Sequence, residues 1–410
     1  GTIRTLGTFS SGMLATSGST ITNSNQVRTE GAMASGMEAI DSASASNMGT
    51  IITSGDSSYG MEADGTATVT NAGTISTTGS GAHGMSVNDA LTVTNSGTIA
   101  TSGANAYGMS VSNTLTATNS GTISTSGSGA SGMVVSGDLT ATNSGTIVTT
   151  GPGAAGLVAT DTTTVTNSGT IATHGAGSAG MILSGATTGT NSGTIQTTSA
   201  DSAGMISNSG AAALNSGHIT TSGEGSEGMV AESGSSAANS GTITTTGVDG
   251  LGMVALMAST ATNSGTISTS GAGASGMGAG FLSSATNSGT ISTTGPDAYG
   301  MTGAFASNLS NTRTITTSGT GSHGMAAGLG TNATNSGTIT TSGAGAYGMA
   351  ADMASDLLNT NTGIIVTTGV GAYGMAASGD STALNEGSIT TSGAGAHGMA
   401  ATAVSSADNT

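Results

Sequence analysis

The sequence predicts an all-β protein, a single parallel β-solenoid of 17 turns of 24 residues with about three short strands per turn. Three columns of residues predict it. Met, once Leu, recurs behind a Gly at one step: Met13, Met37, Met61, Met85, Met109, Met133, Leu157 and onward to Met349, Met375 and Met399. Ile or Val stands ten residues before each, from Ile3 and Val27 to Ile365 and Ile389, with Thr two residues later, from Thr5 to Thr391. Asn stands four residues before the Ile column, from Asn23 to Asn385, and again at Asn409. A strict period of this size marks stacked repeats. It overrides the disorder that 72 Gly and only 6% charged residues would otherwise suggest.

Each element of a turn follows from local chemistry. In LTVTNSGTIATSG, Leu91 to Gly103, Leu91 and Val93 alternate with Thr92 and Thr94, the period-two pattern of a half-buried strand. Asn-Ser-Gly then bends the chain. Ile99 and Thr101 face one side and Thr98 and Ala100 the other, giving a second strand. GANAYG, residues 103–108, is a Gly-rich bend with positions suited to positive φ. Met109 with Val111 forms the third strand. No segment carries the apolar stripe of a helix.

Stacking such turns at about 4.8 Å puts like on like. The Ile, Met and small Ala/Val columns then make the core. The Asn column is expected to form an amide ladder along the axis, and the inward Thr column a hydroxyl ladder, each satisfying its own buried groups. The expected domain organisation is one continuous solenoid over 1–410, with a two-residue insertion between Met349 and Met375. At the strand spacing it would be roughly 80 Å long.

The G-x-G-x-x-G pattern of dinucleotide-binding loops, as in GAGAYG at Gly343 to Gly348, occurs ten times. That fingerprint has meaning only between a strand and a helix of one βαβ unit. Ten copies in register belong to the repeat, so the glycines are assigned to a tight bend and no cofactor is expected.

A net charge of -17, with three arginines and no lysine, excludes nucleic acid and disfavours anionic membranes. No apolar run approaches the ~20 residues of a membrane span. Without Cys there are no disulfides or thiolate sites, and the five scattered His give no zinc-ligand spacing. The Gly-Gly-x-Gly-x-Asp calcium nonapeptide is missing too. Asp89, Asp138, Asp161, Asp249 and Asp297 lie at or near bends, and the pairs Glu62/Asp64 and Asp352/Asp356 have no Lys or Arg near them. These read as solvated bend residues rather than acid/base pairs.

Two outward columns are candidate surfaces. The residue before the Gly of Gly-Met is aromatic in two blocks, Tyr59, His83 and Tyr107, then Tyr299, His323, Tyr347, Tyr373 and His397. It forms either plain ring stacking or a contact strip for glycan or a neighbouring rod. The Thr-x-Thr face flanking the Ile column has the look of an ice-binding array. Arg4, Arg28, Ile52, Val148 and Gln196 interrupt its outer column, so it reads first as β-propensity on an exposed sheet.

The columns TNSGTI and G-A-x-G-M resemble, over the whole chain, the low-complexity repeats of bacterial autotransporter passengers and related large surface adhesins. The resemblance implies a secreted, right-handed parallel β-helix, extracellular or on a bacterial cell surface. The function expected is a non-enzymatic structural rod, stalk or filament subunit of an adhesin-like protein. The alternatives are a glycan- or ice-binding surface on the Tyr/His or Thr columns, and a polysaccharide-degrading β-helix enzyme. Reading Asn409-Thr410 into Gly1-Thr2-Ile3 gives NTGTI, close to the internal NSGTI. These residues are therefore expected to stack head to tail on a further copy, or to lie within a longer solenoid. Other expected partners are surface glycans or proteins of a host or neighbouring cell. No metal is expected.

Overall fold

The computed structural model describes residues 1–410 and contains 51 short strands and no helix. The chain divides into two compact units, residues 1–202 and 203–410. Both are β-solenoids. The chain visits three parallel sheets in rotation, seventeen turns in all.

In the first unit, one turn runs through the strands Thr98–Thr101, Met109–Ser112 and Thr116–Asn119. Each pairs in register with the strand one period away. Ile75 lies beside Ile99, Met85 beside Met109 and Asn95 beside Asn119. Alternation decides what is buried: Ile99, Met109, Ala117 and Asn119 are inaccessible to solvent, while Thr98 and Thr116 face out. Leu91, which the alternation places inward with Val93, is instead exposed. The strand begins at Thr92, and Leu91 sits in the corner before it.

Asn forms the expected ladder. Asn71 Nδ2 donates to Asn95 Oδ1 at 2.7 Å, and Asn95 to Asn119, Asn119 to Asn143 and Asn143 to Asn167 at the same distance. The second unit repeats it from Asn215 to Asn409 at 2.6–2.8 Å. The Asn carbonyl also holds the bend, since Asn71 O accepts from the N–H groups of Ser96 and Gly97.

Thr does not form a ladder. Its hydroxyl turns within its own turn and donates to a carbonyl five residues on, as Thr101 to Ala106 O at 2.6 Å and Thr341 to Ala346 O at 2.7 Å. A hydroxyl can donate only once, and the bend carbonyl is nearer than the next Thr. Thr5, Thr29 and Thr269 are column members whose hydroxyls find no such partner.

The three glycines of GAGAYG have three different causes. A Cβ on Gly343 would collide with the carbonyl of Gly319 one turn away. Gly345 takes φ +64. A Cβ on Gly348 would meet Ile365 Cγ2 and, at 2.6 Å, the Gly374 oxygen. Bend and stacking, not phosphate, set the motif.

Two further adjustments keep the core filled. Where Leu183 is large, the facing column holds Gly189, whose Cβ would strike the Leu183 methyls. In the second unit Gly303 faces Leu309 in the reverse order. The insertion is confined to the corner between the strands Asp356–Asn359 and Ile364–Thr367. There the Gly363 N–H bonds Thr360 O at 2.8 Å. Both strands keep register, with Thr338 beside Ile364 and Asn335 beside Asn359.

Candidate functional site

The aromatic column stands where the bend meets the Met strand. Ala346 points inward and is fully buried, and Gly348 packs on Ile365, so Tyr347 between them projects outward and is half-buried. Successive rings stack. In the second unit Tyr299, His323, Tyr347 and Tyr373 lie 4.7–5.2 Å apart and within 9° of parallel. His397 ends the column, tilted by 46°. In the first unit Tyr59, His83 and Tyr107 stack at 5.2 and 4.7 Å. The spacing equals the rise of a turn, so ring faces cover one another and only ring edges look outward.

The histidines have a second task. His83 Nδ1 accepts the backbone N–H of Tyr107 at 3.0 Å, and His323 Nδ1 accepts that of Tyr347 at 2.9 Å. This bond requires a neutral ring with its proton on Nε2. Burial between two rings pushes both histidines down to about 4.

Beside the two columns, the outer face of the Met sheet differs. In the first unit it carries Glu38 beside Glu62 and then Ser86, with Ser35 donating to Glu62 at 2.6 Å. Burial, reinforced by Glu38 and Asp64, pushes the Glu62 carboxyl up against the lowering effect of Ser35, and burial raises the Tyr59 phenol. In the second unit the same positions are Thr302, Ala326, Ala350, Ala376 and Ala400. These small side chains leave a groove of about 530 Å³ along the rings of His323, Tyr347 and Tyr373, with Asp352 as its single acidic residue.

The far side of this face holds what the sequence reading missed. Four residues after each Met, the corner requires positive φ. Asp89, Asn113, Asp161, Ser209 and Ser233 supply it in their turns, as residues of this type readily do. Met257, Phe281, Phe305, Leu329 and Met353 occupy the same corner in five consecutive turns at φ 53–57, and all stand between 41 and 56% exposed. Phe281 and Phe305 stack at 4.4 Å. A second hollow of about 210 Å³ lies against them, floored by Gly278, Gly280 and Gly303 and closed by Leu251 and Val254. The signal was in the sequence, as turn-forming residues replaced by large apolar ones in one column.

The other candidates are placed as follows. Arg4, Arg28, Ile52, Val148 and Gln196 all sit on the outer face of the Ile sheet and break its Thr column. Arg28 and Arg4 both reach Glu30, at 2.7 and 3.0 Å, and hold its carboxyl below the usual range. Asp352 and Asp356 accept from Ser378 and Thr382 of the next turn. No three His, Asp or Glu converge as a metal site. Thr2 and Ile3 lie in the strand Thr2–Thr5 beside Gln26–Thr29, and Asn409 receives the amide of Asn385 at 2.6 Å. Gly1 precedes that first strand and Thr410 N–H donates to Asn385 O at 2.9 Å.

Three parallel sheets in rotation, an amide ladder and a 24-residue turn define a parallel β-helix of the autotransporter-passenger type. The chain belongs to the family described as BigA third pectate lyase-like domain, whose model matches residues 1–120, 76–217, 173–300, 282–360 and 346–410. Among solved structures it is similar to a chain in the cryo-EM structure of the Vag8–C1 inhibitor complex, with a TM-score of 0.66 and 17% identity over 97% of this chain and 99% of that one. At that identity the likeness is one of fold. No curated protein matches the chain.

Proposed function

We propose that the chain is a non-enzymatic structural rod, the stalk or filament part of an extracellular, adhesin-like surface protein, and that the ring-walled face of its second unit is a contact surface for protein. The observation that carries this is where the polar groups go. Asn amides bond one another, Thr and Asp atoms bond adjacent bends or turns, and His nitrogens hold backbone N–H groups. The side chains named here are engaged in closing or stacking turns. The words pectate lyase-like in the family description name a domain and not an activity of this chain.

The unbroken sequence period supports taking the two units as successive stretches of one solenoid. Closely similar inner columns from turn to turn support end-to-end stacking of further turns upon them. A protein partner is favoured over a glycan because sugars stack on ring faces, and these faces are already covered. The similar chain was itself solved in a complex with a protein, C1 inhibitor.

Electron microscopy of the purified protein should show straight rods, and incubation with pectate and other polysaccharides should release no reducing ends. Compact round particles, or steady release of sugar, would overturn the proposal.

A further inference from the structure

The Met257–Met353 ridge and the groove beside it lie on one face, and we infer that their occupant is a second copy of this chain, packed side by side so that the ridge of each copy fills the groove of the other. The inference rests on the contact-surface reading above and names its partner.

Three observations lead there. The first is strain. Phe281, Phe305, Leu329 and Met353 adopt positive φ, which bulky residues rarely do, and still stand about half exposed. Ser209 and Ser233 show that the corner closes without them. An apolar ridge kept out in water against its backbone preference points to a surface covered by a partner.

The second is pitch. Ridge and groove both repeat once per turn, with ring spacings of 4.4 Å at Phe281–Phe305 and 4.9 Å at Tyr347–Tyr373. A helix laid along the groove repeats every ~5.4 Å and falls about half a step out of phase within four turns. Side chains on one face of an extended peptide repeat every ~6.7 Å. A stacked parallel β-solenoid has the matching step. Because ridge and groove run side by side, a two-fold axis between them brings each ridge onto the partner's groove.

The third is charge. The chain carries 20 acidic and three basic residues, so most ways of bringing two copies together oppose like charges. The two hollows on this face are lined by Ala, Gly, Leu, Val, Phe, Thr, Ser, Tyr and a neutral His, with Asp352 the one acid. The five ridge side chains and the groove floor amount to on the order of 500 Å² per copy, about 1,000 Å² for the pair, the lower end of specific interfaces. A reversible dimer with a micromolar dissociation constant is expected.

The test is sedimentation equilibrium of the full chain over a wide concentration range, at low and high salt. Two variants borrow residues that other turns already hold in the same columns. Phe281→Ser with Phe305→Ser copies Ser209 and Ser233, and Ala350→Glu copies Glu62. Both should keep the wild-type melting temperature and weaken the dimer at least tenfold, and salt should strengthen the wild-type dimer. Since the chain has no native cysteine, Leu329→Cys in one copy and Ala350→Cys in another report the pairing directly when mixed and oxidised. Ridge-to-floor disulfides are expected. A monomer at every concentration, variants that dimerise like wild type, or disulfides only between two Leu329→Cys copies would each overturn the inference. A monomer would assign the face to a different partner, while rods without polysaccharide cleavage would still support the structural role, so the two readings fail separately.

Discussion

Replacing Asn143 by Leu probes the coupling between turns. Asn143 is inaccessible, accepts from Asn119 Nδ2 at 2.7 Å and donates to Asn167 Oδ1 at 2.7 Å. Leu has the same branched skeleton with bulkier methyl ends, so no cavity is left and the main perturbation is the loss of both polar ends. Asn119 Nδ2 keeps only its longer bond to Gly121 O at 3.4 Å, and Asn167 Oδ1 loses its amide donor. At ~1–3 kcal/mol per buried group left unsatisfied, the expected cost is about 3–4 kcal/mol. In a solenoid each turn contacts only its neighbours, so the loss should be local and a whole-chain melt would blur it. Hydrogen exchange resolves it. Amides of Thr116–Asn119, Thr140–Asn143 and Thr164–Asn167 should lose roughly a few hundredfold in protection, at 1.4 kcal/mol per tenfold, while those of Thr68–Asn71 keep theirs. Asn143→Asp should still accept from Asn119 but cannot donate while ionised, so its defect should shrink as the carboxyl protonates in acid. Unchanged protection around Asn143→Leu would refute the idea that the ladder couples turns.

Mild peroxide should spare Met109, Met133 and Met181, which are inaccessible, and oxidise Met33 and Met48, and in dilute monomeric protein Met257 and Met353, all more than half exposed; peptide mass spectrometry of native protein checks this. Gly108→Ala would drive a Cβ into Ile123 Cγ2 and, at 2.6 Å, the Gly132 oxygen, so a cost of about 1–3 kcal/mol is expected from overpacking, read as a lower melting temperature. His83 and His323 bind protons less readily when folded, at about 4 against 6.5, so stability is fully present above pH 6.5 and is lost as pH falls toward 4. The shift corresponds to at most about 3 kcal/mol per histidine. Melting curves of the double variant His83→Phe with His323→Phe should fall less steeply over that window than wild type, and identical slopes would sink the assignment.

Periodicity made the inner columns legible. Ile, Met and Asn could be assigned inward because each recurs with one neighbour pattern in every turn, and stacking admits few arrangements of such columns. The inward Thr was legible in position but not in bonding, since the carbonyl it reaches depends on the path of the bend, which no period encodes. Leu91 was misplaced because a strand boundary in a corner is decided by backbone geometry rather than alternation. The Tyr and His strip was visible as a column. Its groove was not, because that depends on Ala326 and Ala350 standing three residues beyond His323 and Tyr347, across a glycine and a methionine. The Phe and Met ridge is visible only down its own corner column, since Gly, Ser, Asp or Asn holds that corner in most other turns.

The two kinds of polar closure have different consequences for how such a chain can change. A Thr hydroxyl that closes on its own bend makes each turn complete in itself. An Asn amide that meets the next Asn asks only that the neighbour be another Asn, whichever turn supplies it. Duplicating or deleting one 24-residue block therefore leaves every ladder bond with a partner and breaks no bond between a Thr hydroxyl and its own bend. Recombination between repeats can lengthen or shorten such a protein without a folding penalty, and copy number is free to drift or to be selected for reach, while the corner and strip columns mark the turns that carry an individual role.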